Sequence, residues 1–437
     1  MRSSATGRPV SGNELQEWVR DSRSRTIRLV DDLSDSQLMA KPLEIINPLL
    51  WEIGHVAWFH ERWVLRHALG REPIRDDADA LYDSMAIPHD TRWDLPLPSR
   101  EETYRYMEAV REEILEALEQ GPLTERLSYF VRYAVHHEDM HGEAFLYTRQ
   151  TLGYSRPELG PTPAVHDGGA LAGDVEVTPP EEFRLGAERD EPFVFDNEKW
   201  AHPVSLDAFR IARSPVTQAA FAEFVEDGGY RRRELWSDEG WEWRSEEGAE
   251  RPVYWDRRDD EWLRRDFDRW ISLEPDRPMI HVSWHEADAF CRWAGRRLPT
   301  GAEWEAAARL GAAGTKRRFP WGPDRPDSSR ANLDGHRLGC VDVGALPEGD
   351  SPSGCRQMMG NVWEWTSTTF GPYPGFTPDP YEAYSEPWFG SRKVLRGGAW
   401  PTRGRMLRGT YRNYYTPDRR DVWCGFRTCP RFENGSG

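Results

Sequence analysis

The chain has 437 residues, 38% of them hydrophobic and 12% aromatic, with 21 tryptophans, which is enough apolar surface for two or three packed domains and excludes a disordered protein. Acidic residues (74) outnumber Lys and Arg (57) for a net charge of -17 spread along the chain, which argues against nucleic acid or an anionic membrane as partner and fits an enzyme acting on a small molecule. No run of 18 apolar residues occurs, Met1–Asn13 has no apolar signal core, and the five cysteines form no Cys-x-x-Cys, so a cytoplasmic protein without a disulfide framework is expected.

Residues 11–155 read as four helices. The first runs roughly Asn13 to Leu33, with Leu15, Val19, Ile27 and Val30 on its inner side. Asn47-Pro48 opens the second, since Pro is tolerated in a first turn, and it carries Trp51, His55, Trp58, Phe59 and Arg62 along one side to about Leu69. Arg100 to Gln120 and Thr124 to about Leu152 are the third and fourth. A four-helix bundle with one long connection follows, an architecture in which metal sites lie between facing helices.

The fourth helix contains Val135-His-His-Glu-Asp-Met-His-Gly-Glu143. His137 and His141 are four apart and share a stripe with Phe130, Ala134 and Phe145, so both imidazoles stand where core residues are expected. Such a pair is a bidentate grip on a transition metal, or else two core histidines hydrogen-bonded to neighbours. His55, among aromatic residues on another helix, is the candidate third ligand. His60 and His67 fall on a different line and read as surface or packing residues. His136 is offset by about 100° from His137, and Glu143 by about 200° from His141, so neither is expected to be a ligand.

Residues 156–180, rich in Gly, Pro and Ala, read as a linker. Beyond it, across 181–432, short apolar runs alternate with Gly, Pro and Asp turns. Helical stretches stand out only at Thr217–Glu226, His285–Gly295 and Gly301–Leu310. The pieces Ser214-Pro-Val-Thr217, Val282-Ser-Trp284, Arg297-Leu-Pro-Thr300, Glu303-Trp-Glu305, Gly360-Asn-Val-Trp-Glu-Trp-Thr366, Arg396-Gly-Gly398 and Gly425-Phe-Arg427 resemble the formylglycine-generating, sulfatase-modifying-factor family. That resemblance implies a C-type-lectin-like fold, and hence an α+β chain: a DinB-like four-helix bundle followed by an FGE-sulfatase domain. The family's copper-binding cysteines, just after Arg-Gly-Gly, have no counterpart in Gly398–Leu407, so copper chemistry is not expected.

A DinB-like bundle with one His plus His-x-x-x-His, fused to this lectin-like domain, resembles the ergothioneine sulfoxide synthases and the related selenoneine synthases and ovothiol enzymes. The resemblance spans nearly the whole chain. It implies a non-haem Fe(II) held by His55, His137 and His141, and O₂-dependent coupling of hercynine to a sulfur or selenium donor at the imidazole C2. It further implies that Asn413, Tyr414 and Tyr415 contact hercynine, the aromatic faces meeting its trimethylammonium group; the alternative for the two tyrosines is a pair packed in a loop. Tyr381 aligns with a proton-donating tyrosine; its alternative is a packing role. Arg92, in the loop His89–Pro98, and Arg419 are candidates for an anionic donor group, although a loop arginine is more often solvated. Three departures stand out. Tyr415 replaces an Asp of relatives that use γ-glutamylcysteine, Met140 replaces a substrate-bonding Gln, and Tyr82-Asp-Ser-Met-Ala86 lacks a tyrosine pair. The wording of His89–Pro98 is closer to the selenoneine synthases, so the expected donor is a selenosugar or a simple thiol such as cysteine. Two readings of other classes stay beside this one: a DinB-like thiol transferase using a divalent metal without O₂, and a non-enzymatic lectin-like binding protein.

Overall fold

The computed structural model describes residues 10–160, 168–311 and 314–431, which fall into two compact units dividing after Gly160. The first unit contains α1 (Gly12–Arg28), α2 (Asp35–Met39), α3 (Leu49–His60), α4 (Ala78–Tyr82), α5 (Arg100–Gln120) and α6 (Glu125–Leu152). Three of its long helices, α1, α5 and α6, begin where the sequence offers oxygen caps, whereas α3 starts after Pro48 without one. Ser11 and Ser99 form reciprocal capping boxes with Glu14 and Glu102, and Thr124 caps the N–H of Leu127. Gly153, in the left-handed region at φ 68°, closes α6.

Two expected spans differ. The first helix ends at Arg28 and not Leu33, because the buried Arg149 guanidinium draws off the chain there, donating to Leu29 O at 2.8 Å and to both Asp32 carboxylate oxygens at 2.7 Å. The second is α-helical only to His60; Glu61–Ala68 continue it with π-helical bonding.

One buried carboxylate ties the bundle together. Glu138 of α6 accepts from Arg23 Nε at 2.9 Å and Thr26 Oγ1 at 2.8 Å, both on α1, and lies 3.0 Å from His60 Nε2 of α3. Arg23 also donates to Met107 O of α5. Burial raises the Glu138 carboxyl, but Arg23 and His60 outweigh it and hold it well below the usual carboxylate range. His60 is therefore a packing residue and not a surface one, at 1% exposure.

The second unit contains β1 (Asp174–Val177), β2 (Phe183–Leu185), β3 (His202–Val204), β4 (Phe209–Ala212), α7 (Gln218–Glu226), α8 (Asp238–Glu246), β5 (Trp255–Arg258), β6 (Glu261–Asp266), β7 (Arg269–Ser272), α9 (Trp284–Trp293), β8 (Arg296–Arg297), α10 (Gly301–Arg309), β9 (Trp363–Thr369), β10 (Lys393–Arg396), β11 (Asn413–Tyr415), β12 (Cys424–Gly425) and β13 (Cys429–Pro430). The central sheet runs β11-β10-β9-β12, with β10 antiparallel to both neighbours and β12 parallel to β9. Strand β1 lies inside the expected linker, where Val175 and Val177 pair with Ile211 and Phe209 and Arg296 holds Asp174 at 2.7 Å. Helix α8 was not legible because only Gly240 of it is buried, leaving no apolar stripe.

Several of the motif pieces quoted for this unit supply its buried ion pairs. Glu364 of Gly360–Thr366 takes Arg427 through both oxygens (2.6 and 2.7 Å) and accepts Trp304 Nε1 at 2.8 Å. Glu305 takes Arg396 at 2.7 Å, with Arg309 and Lys316 on its other oxygen at 3.2 and 2.9 Å. Gly425 is required by close approach, since a Cβ there would meet Met279 O at 2.0 Å. All five cysteines are buried thiols.

Candidate metal centre and tyrosine-bearing segments

The bundle brings His55, His137 and His141 together: their nearest ring nitrogens all lie within 4.8 Å of one another. His55 projects from α3 and the other two from successive turns of α6, with ring centroids 4.6 to 5.1 Å apart. Aromatic faces fix the rings. Trp51, one turn before His55, stacks on it at 4.8 Å and 11°, and Phe59 stacks on His137 at 3.6 Å and 8°.

Hydrogen bonds then choose the tautomers. Nδ1 of His55 is 2.8 Å from the carbonyl of Tyr82, which can only accept, so Nδ1 carries the proton and Nε2 presents a lone pair. Nδ1 of His141 is likewise held by the buried Glu52 carboxylate at 2.6 Å. Gly54 makes the first contact possible: a Cβ there would sit 2.3 Å from the Tyr82 ring. Burial, followed by the charge of His141, lowers the pKa of both His55 and His137 well below the ordinary histidine range and keeps them neutral. Three imidazoles grouped this closely fit a divalent transition metal and leave positions for other ligands. His136 and Glu143 are buried but outside this group.

Arg92 is buried, not solvated. Its guanidinium lies over Trp51 at 4.1 Å, on the ring that stacks on His55, and donates to Asn47 Oδ1 at 2.6 Å and to the carbonyls of Ser84 and Ile87. Met140 is half-buried on α6 between His137 and His141.

The remaining candidates belong to the second unit. Asn413, Tyr414 and Tyr415 form β11, paired with Leu395, Val394 and Lys393. Asn413 Oδ1 accepts the Tyr414 N–H at 2.9 Å, and Tyr414 stacks on Phe370 at 3.9 Å. Arg419 lies 5.1 Å over Tyr415 and is paired through two nitrogens with Asp421 at 2.6 and 2.8 Å. Tyr381, half-buried, precedes the short helical turn Glu382–Tyr384; it is one of the groups whose charge acts on Tyr414, together with Tyr411 and Asp196. Burial, and then the neighbouring Asp379, raises the Asp196 carboxyl to about 6.

A sulfatase-modifying factor enzyme 1-like domain matches residues 168–431, and a DinB superfamily domain matches 19–145. The chain is 40% identical to the hercynine oxygenase of Mycolicibacterium thermoresistibile, over 95% of this chain and 94% of that protein. The chain belongs to the hercynine oxygenase family. Within it, the hercynine oxygenase of Mycobacterium tuberculosis is 38% identical over 96% of this chain and 99% of its own length. The second unit alone is similar to the formylglycine-generating enzyme of Streptomyces coelicolor, 34% identical over 56% of this chain and 85% of that one. As a member of the hercynine oxygenase family the chain is an oxidoreductase, which sets aside the reading as a binding protein. Among the described residues, no helix is long and apolar enough to cross a membrane.

Sequence reasoning missed Glu52, the Tyr82 carbonyl and the Glu138 cluster. Glu52 and Glu138 had a signal, each being a carboxylate set in an otherwise apolar helix face beside a candidate ligand. The carbonyl had none.

Proposed function

We propose that this protein binds Fe(II) through His55, His137 and His141 and uses O₂ to join hercynine, at its imidazole C2, to a selenium or sulfur donor. The observation that carries the reading is the three-histidine group, two of its members buried, with Nδ1 of His55 and of His141 held by Tyr82 O and Glu52 (2.8 and 2.6 Å), in a chain whose relatives are named hercynine oxygenases. Bound iron would supply the redox chemistry for O₂ reduction. Coupling removes hydrogen from C2 and from the S–H or Se–H, two electrons in all. One oxygen atom carried to the chalcogen and one to water completes the four electrons that O₂ accepts.

The chain's own residues do the rest. Glu52 and Tyr82 O orient the imidazoles. Tyr414 and Tyr415 offer aromatic faces to a quaternary ammonium and Asn413 a hydrogen bond. Tyr381 supplies a proton. Arg92, Met140, Tyr415 and Arg419 select the donor. With tyrosine and not a carboxylate at position 415, nothing there pairs a donor ammonium group, which favours a selenosugar or cysteine over γ-glutamylcysteine.

The test is anaerobic reconstitution with Fe(II), followed by hercynine, O₂ and each donor in turn. One iron per chain and hercynine-dependent O₂ consumption are expected. Stoichiometric iron in the triple His→Ala variant would remove the site, and turnover without O₂ would favour a thiol transferase. Efficient use of γ-glutamylcysteine would overturn the donor assignment, and turnover with cysteine but not a selenosugar would overturn selenium.

A further inference from the structure

The turn Asp196–Glu198 is polar and yet almost wholly enclosed, its three residues being 1%, 0% and 0% exposed. Such a turn is held by what it binds, because enclosed polar groups without partners are costly. Glu198 receives Arg408 and, at 2.6 Å, Thr410 Oγ1; the carbonyl of Asn197 receives Arg412 Nη1 at 2.6 Å. These contacts fix the chain immediately before Asn413.

The same turn also grips the loop that carries Tyr381, on both sides of it. Asp196 Oδ2 accepts the backbone N–H of Asp379 at 3.4 Å, and Oδ1 accepts Ser385 Oγ at 2.5 Å. Asn197 Nδ2 reaches the same hydroxyl at 3.1 Å, and Lys199 Nζ reaches the Asp379 carboxylate at 2.5 Å. Phe195, the preceding residue, stacks on Tyr384 at 4.6 Å, and Tyr384 Oη lies 3.5 Å from Tyr411 Oη. Two residues before Tyr381 and four after it, the loop therefore ends on one carboxylate.

We infer that Asp196 is a positioning residue for Tyr381, clamping the loop 379–385 through the Asp379 N–H and the Ser385 hydroxyl so that the tyrosine keeps a fixed place relative to β11. Glu198 and Arg408 support the turn, and Asp196 holds the loop at both ends. The inference rests on the proton-donor reading of Tyr381. Misplacing a reacting group by about an ångström costs up to roughly a hundredfold in rate, so loss of the clamp is a catalytic event without loss of the fold.

Ser385→Ala and Asp196→Asn, the second keeping the side-chain volume, test it in the iron-loaded full-length enzyme. Hydrogen–deuterium exchange over residues 376–390 should quicken in both, while the rest of the domain exchanges as in the wild type. The turnover number should fall by roughly ten- to a hundredfold, with the hercynine KM within about twofold. In a Tyr381→Phe background the same substitutions should cost nothing further, because a positioning residue has nothing left to position. Unchanged exchange of the loop, or penalties that multiply in the double variants, overturns the inference. Normal turnover by Tyr381→Phe alone shows instead that the underlying reading of Tyr381 has failed, and the positioning role falls with it.

Discussion

Glu52 Oε1 lies 2.6 Å from Nδ1 of His141, and the two residues come from different helices, α3 and α6. The carboxylate is 1% exposed and one turn before His55, so a single residue reports on both helices that supply the imidazoles. Glu52→Ala is expected to weaken Fe(II) affinity by about 10- to 100-fold, and Glu52→Gln, which keeps an acceptor, by less. Competition with a metal chelator measures both; equal affinities in all three proteins would refute the anchoring role.

Gly54 is the position at which a single methyl group should be felt most strongly in the bundle. Its Cβ would stand 2.3 Å from the buried Tyr82 ring, whose backbone carbonyl orients His55. Gly54→Ala should cost about 1–3 kcal/mol of stability, as overpacking does, and should also weaken metal binding. Urea denaturation of the metal-free protein and chelator competition read the two effects separately.

Glu305 gives the lectin-like unit an acid-sensitive joint. Burial raises its carboxyl, but Lys316, Arg396 and Arg309 outweigh burial and hold it at about 2. The folded value is thus below the unfolded one, so its contribution is complete above about pH 4.5 and is lost as pH falls toward 2, amounting to about 3 kcal/mol. Denaturation between pH 6 and 3 should show that slope in the wild type and a flatter one in Glu305→Gln, whatever the variant's absolute stability.

Arg92 is placed to act through its shape as well as its charge. Its guanidinium lies over Trp51 at 4.1 Å and donates to Asn47, Ser84 and Ile87. Lysine has neither the plane nor the fork. Arg92→Lys should raise the KM for the donor by about tenfold while leaving that for hercynine within about twofold. Steady-state kinetics with each substrate varied in turn decides it, and equal shifts in both would assign Arg92 to packing alone.

The His137 and His141 pair was legible from helical spacing, His55 stood out as a candidate among aromatics, and the resemblance to the sulfoxide synthases singled out the three as ligands. The four long helices were legible from the same spacing, and the domain order followed from motifs such as Gly360–Thr366. What sequence could not give were relations across the chain. Glu138 meets Arg23 at a separation of 115 residues, and Asp196 meets Ser385 at 189. The Tyr82 carbonyl is a backbone atom, invisible in any residue pattern. Arg92 was read as more often solvated because loop arginines usually are; here it lies over a ring, Trp51, that is 41 positions earlier.

The π-helical stretch Glu61–Ala68 carries α3 onward along α6 and sets the phase of their contact. His55 must face His137, and Trp63, eight positions on, stacks on Phe130 at 8° between planes. Eight residues of regular α-helix overshoot two full turns by about 80°, and the wider winding takes up part of that excess. One residue fewer in this stretch would turn everything beyond it relative to His55 by somewhat less than the about 100° of a regular α-helix. Insertions and deletions in this helix are therefore not interchangeable with substitutions: its length is part of the address at which the third imidazole is delivered.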